Sequence, residues 1–254
     1  MGDKDMEPKS SVEHRVLKYL AKNGMSTQYK MIKHRVGAER SILKSVEKLA
    51  KNEHIELKKQ EPFKKIGGKT KKYYGLTFKG LIYTLEKGFI KPSQAHNVRI
   101  KNNTSLPFVY KLPKLPGIFP CLDVRSEEEI VESNRRYLQI IESIERHFPS
   151  IFYRLFAMVD MQNIRQFIEI LGFDDAEGVL VAFTGTFTIF LLSLHKDYCT
   201  KYLKDGTLYL PDGAPIGDFS KIEAIRSVFF KHTQDILKVD PFKMLSELLK
   251  YIKI

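Results

Sequence analysis

Between Ala38 and Asn52 the chain places Arg40, Ser41, Lys44, Ser45 and Lys48 one, three or four residues apart. Positions spaced in that way share one side of an α-helix. Arginine and lysine supply donors for phosphate oxygens and for the acceptor edges of bases, and serine adds a short hydroxyl that donates or accepts. The chemistry these residues offer is recognition of a polyanion. Ile42, Leu43, Val46, Leu49 and Ala50 recur at helical spacing and predict the stripe that faces a core. A helix with that outward face suits the major groove of a nucleic-acid duplex.

A second set of cations follows. Lys64, Lys65, Lys69, Lys71 and Lys72 crowd around Gly67-Gly68, between the alternating runs Ile55 to Lys58 and Tyr73 to Leu76. The alternation predicts two strands, and the glycine pair predicts the turn that joins them. Five lysines at the end of one hairpin repel one another unless phosphates neutralise them.

The elements that must position these groups are legible on either side. A first helix begins at Ser10 or Ser11, carries Val12, Val16, Leu17 and Leu20 on its apolar stripe, and stops at Asn23-Gly24. Ser26 or Thr27 caps a second helix, with Tyr29, Met31, Ile32 and Val36 as its buried positions and Gly37 as its end. Two helices joined by so tight a turn, the second with a basic outer face, have the layout of a helix-turn-helix. After the hairpin, Leu76-Thr77-Phe78-Lys79-Gly80 leads into a helix over Leu81 to Glu86.

That order, closed by Tyr74-Gly75-Leu76-Thr77-Phe78-Lys79-Gly80, resembles a winged helix-turn-helix domain. Over residues 11–88 it is similar to MarR-like and related bacterial and archaeal transcription regulators. The resemblance implies that the helix at Ala38 to Asn52 reads the major groove and that the hairpin is the wing. Ser26, Thr27, Arg40, Ser41, Lys44, Ser45, Lys48, Lys64, Lys65, Lys69, Lys71 and Lys72 are then the expected DNA contacts. Two departures stand out: Glu39 and Glu47 lie on or beside the reading helix, and the wing is longer than a minimal one.

Charge supports the division. The net charge of +12 lies entirely in residues 1–91, where 22 Lys and Arg face 10 Asp and Glu. The remainder balances, with 20 of each sign, so a basic module is joined to a neutral one. Two cysteines, Cys121 and Cys199, exclude a disulfide framework and a four-cysteine metal site, and a reducing cytoplasm is expected. His14, His34 and His54 lack metal-ligand spacing, and no cofactor or metal is expected.

Residues 1–10 read as a polar tail, 11–90 as the basic module, 91–125 as a proline-containing linker and 126–254 as an all-helical domain. Ser126 to Glu129 forms a capping-box start, Pro149 can begin a second helix, and Ile164 to Leu171 continues the pattern. Val179 to Leu194 is the most apolar stretch; its 16 residues are too few to span a bilayer and predict a buried helix rather than a membrane span. Tyr198 to Leu203 extends it. Turns at Asp205-Gly206 and Pro211 to Pro215 flank a short hairpin at Thr207 to Leu210, and helices follow over Lys221 to Leu237 and Pro241 to Ile252.

The chain contains no Gly-rich phosphate loop, H-E-x-x-H or G-x-S-x-G. The expectation is a mostly helical, two-domain, non-enzymatic transcription regulator that binds double-stranded DNA as a homodimer. Its second domain would serve dimerisation, or bind a small-molecule effector or a protein partner. A winged-helix assembly factor within a nucleic-acid machine and a nucleic-acid-processing enzyme are the alternatives.

Overall fold

The computed structural model describes residues 11–62, 70–107, 127–158 and 176–227, with residues 248 and 250. The chain is mostly helical and divides into two compact units on either side of the Ser105–Leu106 bond. In the first unit, α1 (Val12–Asn23) starts where the Ser11 hydroxyl accepts the His14 N–H at 3.2 Å. It ends at Gly24, whose φ of 78° would strain any other residue and whose N–H closes on the Leu20 carbonyl. Val16, Leu17 and Leu20 are buried beneath it.

A two-residue strand, β1 (Ser26–Thr27), precedes α2 (Gln28–Lys33). The Thr27 hydroxyl caps α2 by accepting the Lys30 N–H. The helix stops at His34, short of Gly37, because Arg35 turns into the left-handed region at φ 57°. Next come α3 (Glu39–Lys51), β2 (Ile55–Pro62) and β3 (Thr70–Leu76). The sheet is antiparallel with β3 in the middle: Ser26 and Leu57 both pair with Tyr74. Thr77 caps α4 (Phe78–Glu86) through its hydroxyl.

Residues 92–101, expected within the linker, instead form α5 (Pro92–Lys101), which packs on α1 and α4. It buries Ala95 and Val98, and polar bonds add to its hold on the module. The wholly buried Asn102 amide donates to the Leu20 and Val98 carbonyls at 3.1 and 2.9 Å. The Arg99 guanidinium donates to the Thr104 carbonyl, and the Met25 N–H to that of Lys101.

The second unit holds α6 (Glu127–His147), α7 (Pro149–Met158), α8 (Ala176–Leu194) and α9 (Lys196–Tyr202). Tyr137, Ile141, Ile144, Phe152, Phe156, Phe187 and Phe190 lie in its core. Helix α8 is long and apolar enough to cross a membrane, yet 78% of that window is buried by the protein's own side chains. The apolar helix does not run on through Tyr198. It breaks at His195, whose ring accepts the Tyr198 N–H and starts α9.

Nor is the unit all-helical: β4 (Leu203–Lys204), β5 (Thr207–Tyr209) and β6 (Pro215–Asp218) form a small antiparallel sheet. Residues 219–227 are helical. The helix expected over Ile164 to Leu171 and the end of that from Lys221 fall outside the described residues, as do residues 108–125 of the expected linker and all of Pro241 to Ile252 except residues 248 and 250.

Candidate nucleic-acid interface

Burial sorts the expected contacts on α3. Ile42, Val46 and Leu49 face the core, and Arg40, Lys44 and Lys48 are exposed on the other side, with Ser41 half-buried. Among the described residues Arg40 and Lys44 enter no ion pair. Lys48 reaches Glu13 of α1 at 3.2 Å. The Glu13 carboxyl is held below its ordinary value by a backbone hydrogen bond and by that lysine.

Five positions on and around α3 differ from expectation. Ser45 is buried, because it falls between Ile42 and Leu49 on the core stripe, and it leaves the contact surface. Leu43 and Ala50, expected inside, are exposed at the stripe's edges. Ser26 is also buried, since β1 tucks it against β3, while the Thr27 hydroxyl is occupied as a helix cap. Tyr29, expected in the core, is 72% exposed on α2.

The hairpin strands carry charges of both signs. Lys58 pairs with Glu56, and Lys59 with Glu61 at 2.6 Å. The Tyr73 hydroxyl also donates to Glu61, at 2.9 Å. The Lys59 ammonium and the Tyr73 hydroxyl lower the Glu61 carboxyl, and Glu61 raises the Lys59 ammonium in return. A bulge between Leu57 and Lys59 lets Lys58 fall out of the alternation.

Lys71 and Lys72 are exposed on β3 and point to opposite faces. Lys72 shares a face with Tyr74, whose cross-strand partner Leu57 is 41% exposed. Burial raises the Tyr74 phenol, and the charge of Glu47 raises it further. Lys64, Lys65 and Lys69 fall outside the described residues.

Arg40, Ser41, Lys44, Lys48, Lys71 and Lys72 therefore remain as described candidates. The sequence reading missed the apolar members of the surface, Leu43, Leu57 and Tyr29. The signal was the helical phase: Ser45 and Leu43 flank the core stripe, and phase alone did not decide which of them turns inward.

Two other clusters have a structural use. His14 hydrogen-bonds the Tyr83 hydroxyl at 3.2 Å, and the His54 ring stacks on Tyr83 with centroids 4.6 Å apart, fastening α1 and the turn after α3 to α4. In the second unit the Ser143 hydroxyl donates to Asp212, and His147 approaches the same carboxylate oxygen at 3.4 Å. Serine and histidine address the carboxylate rather than each other, so the trio ties α6 to the turn before β6. Among the described residues no three His, Cys, Asp or Glu side chains are grouped to hold a metal ion.

The chain matches no protein-family model, no curated protein and no solved structure. Function must therefore be argued from the surface itself.

Proposed function

We propose that the first unit is a winged helix-turn-helix that binds duplex DNA, with α3 in the major groove and the β2–β3 hairpin along the phosphate backbone. The observation that carries this reading is the set of exposed cations on α3, Arg40, Lys44 and Lys48, beside a hairpin bearing Lys71 and Lys72. The charge excess of the chain belongs to this same unit. Phosphate neutralisation is what such a surface is suited to, and its signature is affinity that falls with salt. On this reading the protein is a homodimeric transcription regulator, and the helical second unit pairs two modules on two half-sites.

The test is binding of random-sequence duplex DNA by the full chain across a salt series, alongside the triple variant Lys69→Glu, Lys71→Glu and Lys72→Glu. The expected result is a steep linear fall of log affinity with log salt, with the triple variant weaker on every sequence. Affinity indifferent to both salt and the triple change would overturn the DNA reading, and an acidic protein partner would become the leading one.

A further inference from the structure

Only half of the charge excess belongs to the proposed reading surface. Residues 38–76, which hold α3 and the hairpin, carry 11 Lys and Arg against 5 Asp and Glu, or +6 of the net +12. From His14 to Ala38 there are six Lys and Arg and no acidic residue. Arg15, Lys18 and Lys22 of that run are exposed on α1 at spacings of three and four, so they form one row. The row lies opposite Val16, Leu17 and Leu20, the buried side of the helix.

Little in the fold explains this row. Among the described residues none of the three cations enters an ion pair, and Glu13, the one acid of α1, reaches Lys48 of α3 instead. Like charges three and four apart on a helix repel each other. Arg15 stands in the first turn, where the helix dipole disfavours a cation. The Lys18 ammonium sits 4.8 Å from the centre of the Phe89 ring, and that of Lys87 sits 5.5 Å from the Tyr83 ring. His14 touches both rings, so the row on α1 and the cation at the end of α4 border one patch.

The composition of the row selects its ligand. A membrane surface takes a helix through exposed apolar side chains. α1 buries its own, and none of the large exposed hydrophobic residues lies on it. A protein partner is anchored by aromatic or aliphatic groups at the centre of the contact, and the row offers none. What fits is a ligand held by charge alone, which is a phosphate backbone. Arg15 to Lys22 covers about 10 Å of helix axis. One strand of a duplex carries a phosphate about every 3.4 Å of its axis, so each cation can meet its own phosphate.

The row does not extend the surface of α3. The two helices pack on each other with their apolar stripes toward one core, which turns their outer faces in different directions. A straight duplex seated on α3 therefore does not lie along α1.

We propose that Arg15, Lys18 and Lys22 on the outer face of α1 hold the phosphate backbone of a second duplex segment. The proposal rests on the DNA reading above and extends it. The first unit is a bridge, with one segment on α3 and the hairpin and another on α1, the latter held without regard to sequence.

The full-length protein is titrated at low salt with an excess of random-sequence duplex of about 15 base pairs, roughly one and a half turns. Sedimentation reads the number of duplexes bound per chain, a ratio that does not depend on whether the chains pair. The expected ratio is two, and the weaker step has a log–log salt slope of about 3, one for each cation. Arg15→Glu, Lys18→Glu and Lys22→Glu together reduce the ratio to one. The corresponding three Gln changes, milder for folding, weaken the second step and lower its slope. Lys69→Glu, Lys71→Glu and Lys72→Glu together weaken the tighter step instead.

A ratio of one for the unaltered protein overturns the second face and leaves the DNA reading standing. So does a ratio of two that survives both sets of α1 changes. Loss of both steps in the α1 Gln variant makes α1 the sole face and overturns the bridge. Failure to bind any duplex at low salt removes the DNA reading itself.

Discussion

The Leu76 N–H, at the end of the central strand β3, donates to the side-chain oxygen of Asn102 at 3.1 Å, inside the core of the first unit. The same amide holds the Leu20 carbonyl with its nitrogen. One side chain therefore ties the central strand, α1 and the end of α5 together. Asn102→Ala leaves the buried Leu76 N–H short of a partner, while the Leu20 and Val98 carbonyls keep the Gly24 and Asn102 backbone N–H groups, and a loss of about 1 to 3 kcal/mol of stability is expected. Hydrogen exchange of the Leu76 amide is the local measurement. Protection unchanged in the variant would show that the bond does not hold the strand.

Gly80 and Gly185 separate two kinds of tight packing. A Cβ at Gly80 would fall 1.8 Å from the His54 carbonyl oxygen, which is backbone and has little room to yield. At Gly185 it would meet the end of the Ile141 side chain at 1.7 Å, an atom that can rotate away. Gly80→Ala should cost more than about 3 kcal/mol and Gly185→Ala distinctly less, on the scale of core overpacking. Denaturant midpoints of the two variants provide the comparison, and the reverse order would contradict it.

Acid should loosen the first unit before carboxylates titrate. Burial, and then the charge of Lys79, lower the His54 imidazole below its ordinary 6.5. The unfolded chain takes up a proton there that the folded one refuses. Stability therefore falls as pH drops through 6.5 and levels off beneath the folded value. His54→Phe keeps a ring to stack on Tyr83 and should flatten that limb of the stability profile. A profile in which wild type and variant decline in parallel would assign the effect to another group.

Arg40→Ala should change which sequences are preferred more than it changes the salt slope, because a guanidinium on α3 can bond a guanine edge bidentately. Lys72→Ala should weaken all duplexes alike and reduce the slope by about one. Selection profiles and salt titrations of the two variants distinguish these outcomes. Identical uniform losses would assign Arg40 to the backbone rather than to bases.

Much of this architecture is legible in the chain. Ser11 and Thr27 act as helix caps, Gly24 as a stop and Pro149 as a start, because each works through a local bond or dihedral. The two strands of the hairpin follow their alternation, and the Ile42, Val46 and Leu49 stripe follows helical phase.

What escaped was non-local. α5 has no apolar stripe to announce it, and its attachment draws on Asn102, a polar residue whose partners include Leu76 of β3 and Leu20 of α1. β1, β4 and β6 are too short to show a period, and exist because a neighbouring strand supplies the bonds. At the candidate surface the cations were readable by type, whereas Ser45, Leu43, Ser26 and Tyr29 were sorted only by what packed beside them.

The run from Tyr74 to Gly80 bears on how such a protein could diverge. Gly75 leaves no room for a Cβ, which would lie 2.7 Å from the Asn102 carbonyl oxygen. Leu76 and Phe78 are buried, Thr77 is a cap, Lys79 pairs with Glu53 and Gly80 abuts His54. From Gly75 onward every position is spoken for by the module's own interior and its seams. Drift would be resisted there by sterics whatever the protein binds, while Leu43, Glu47 and Lys72 could change with little effect on folding. Descendants that kept the run intact could exchange one ligand for another, and their ancestry and their partners would be written in different residues.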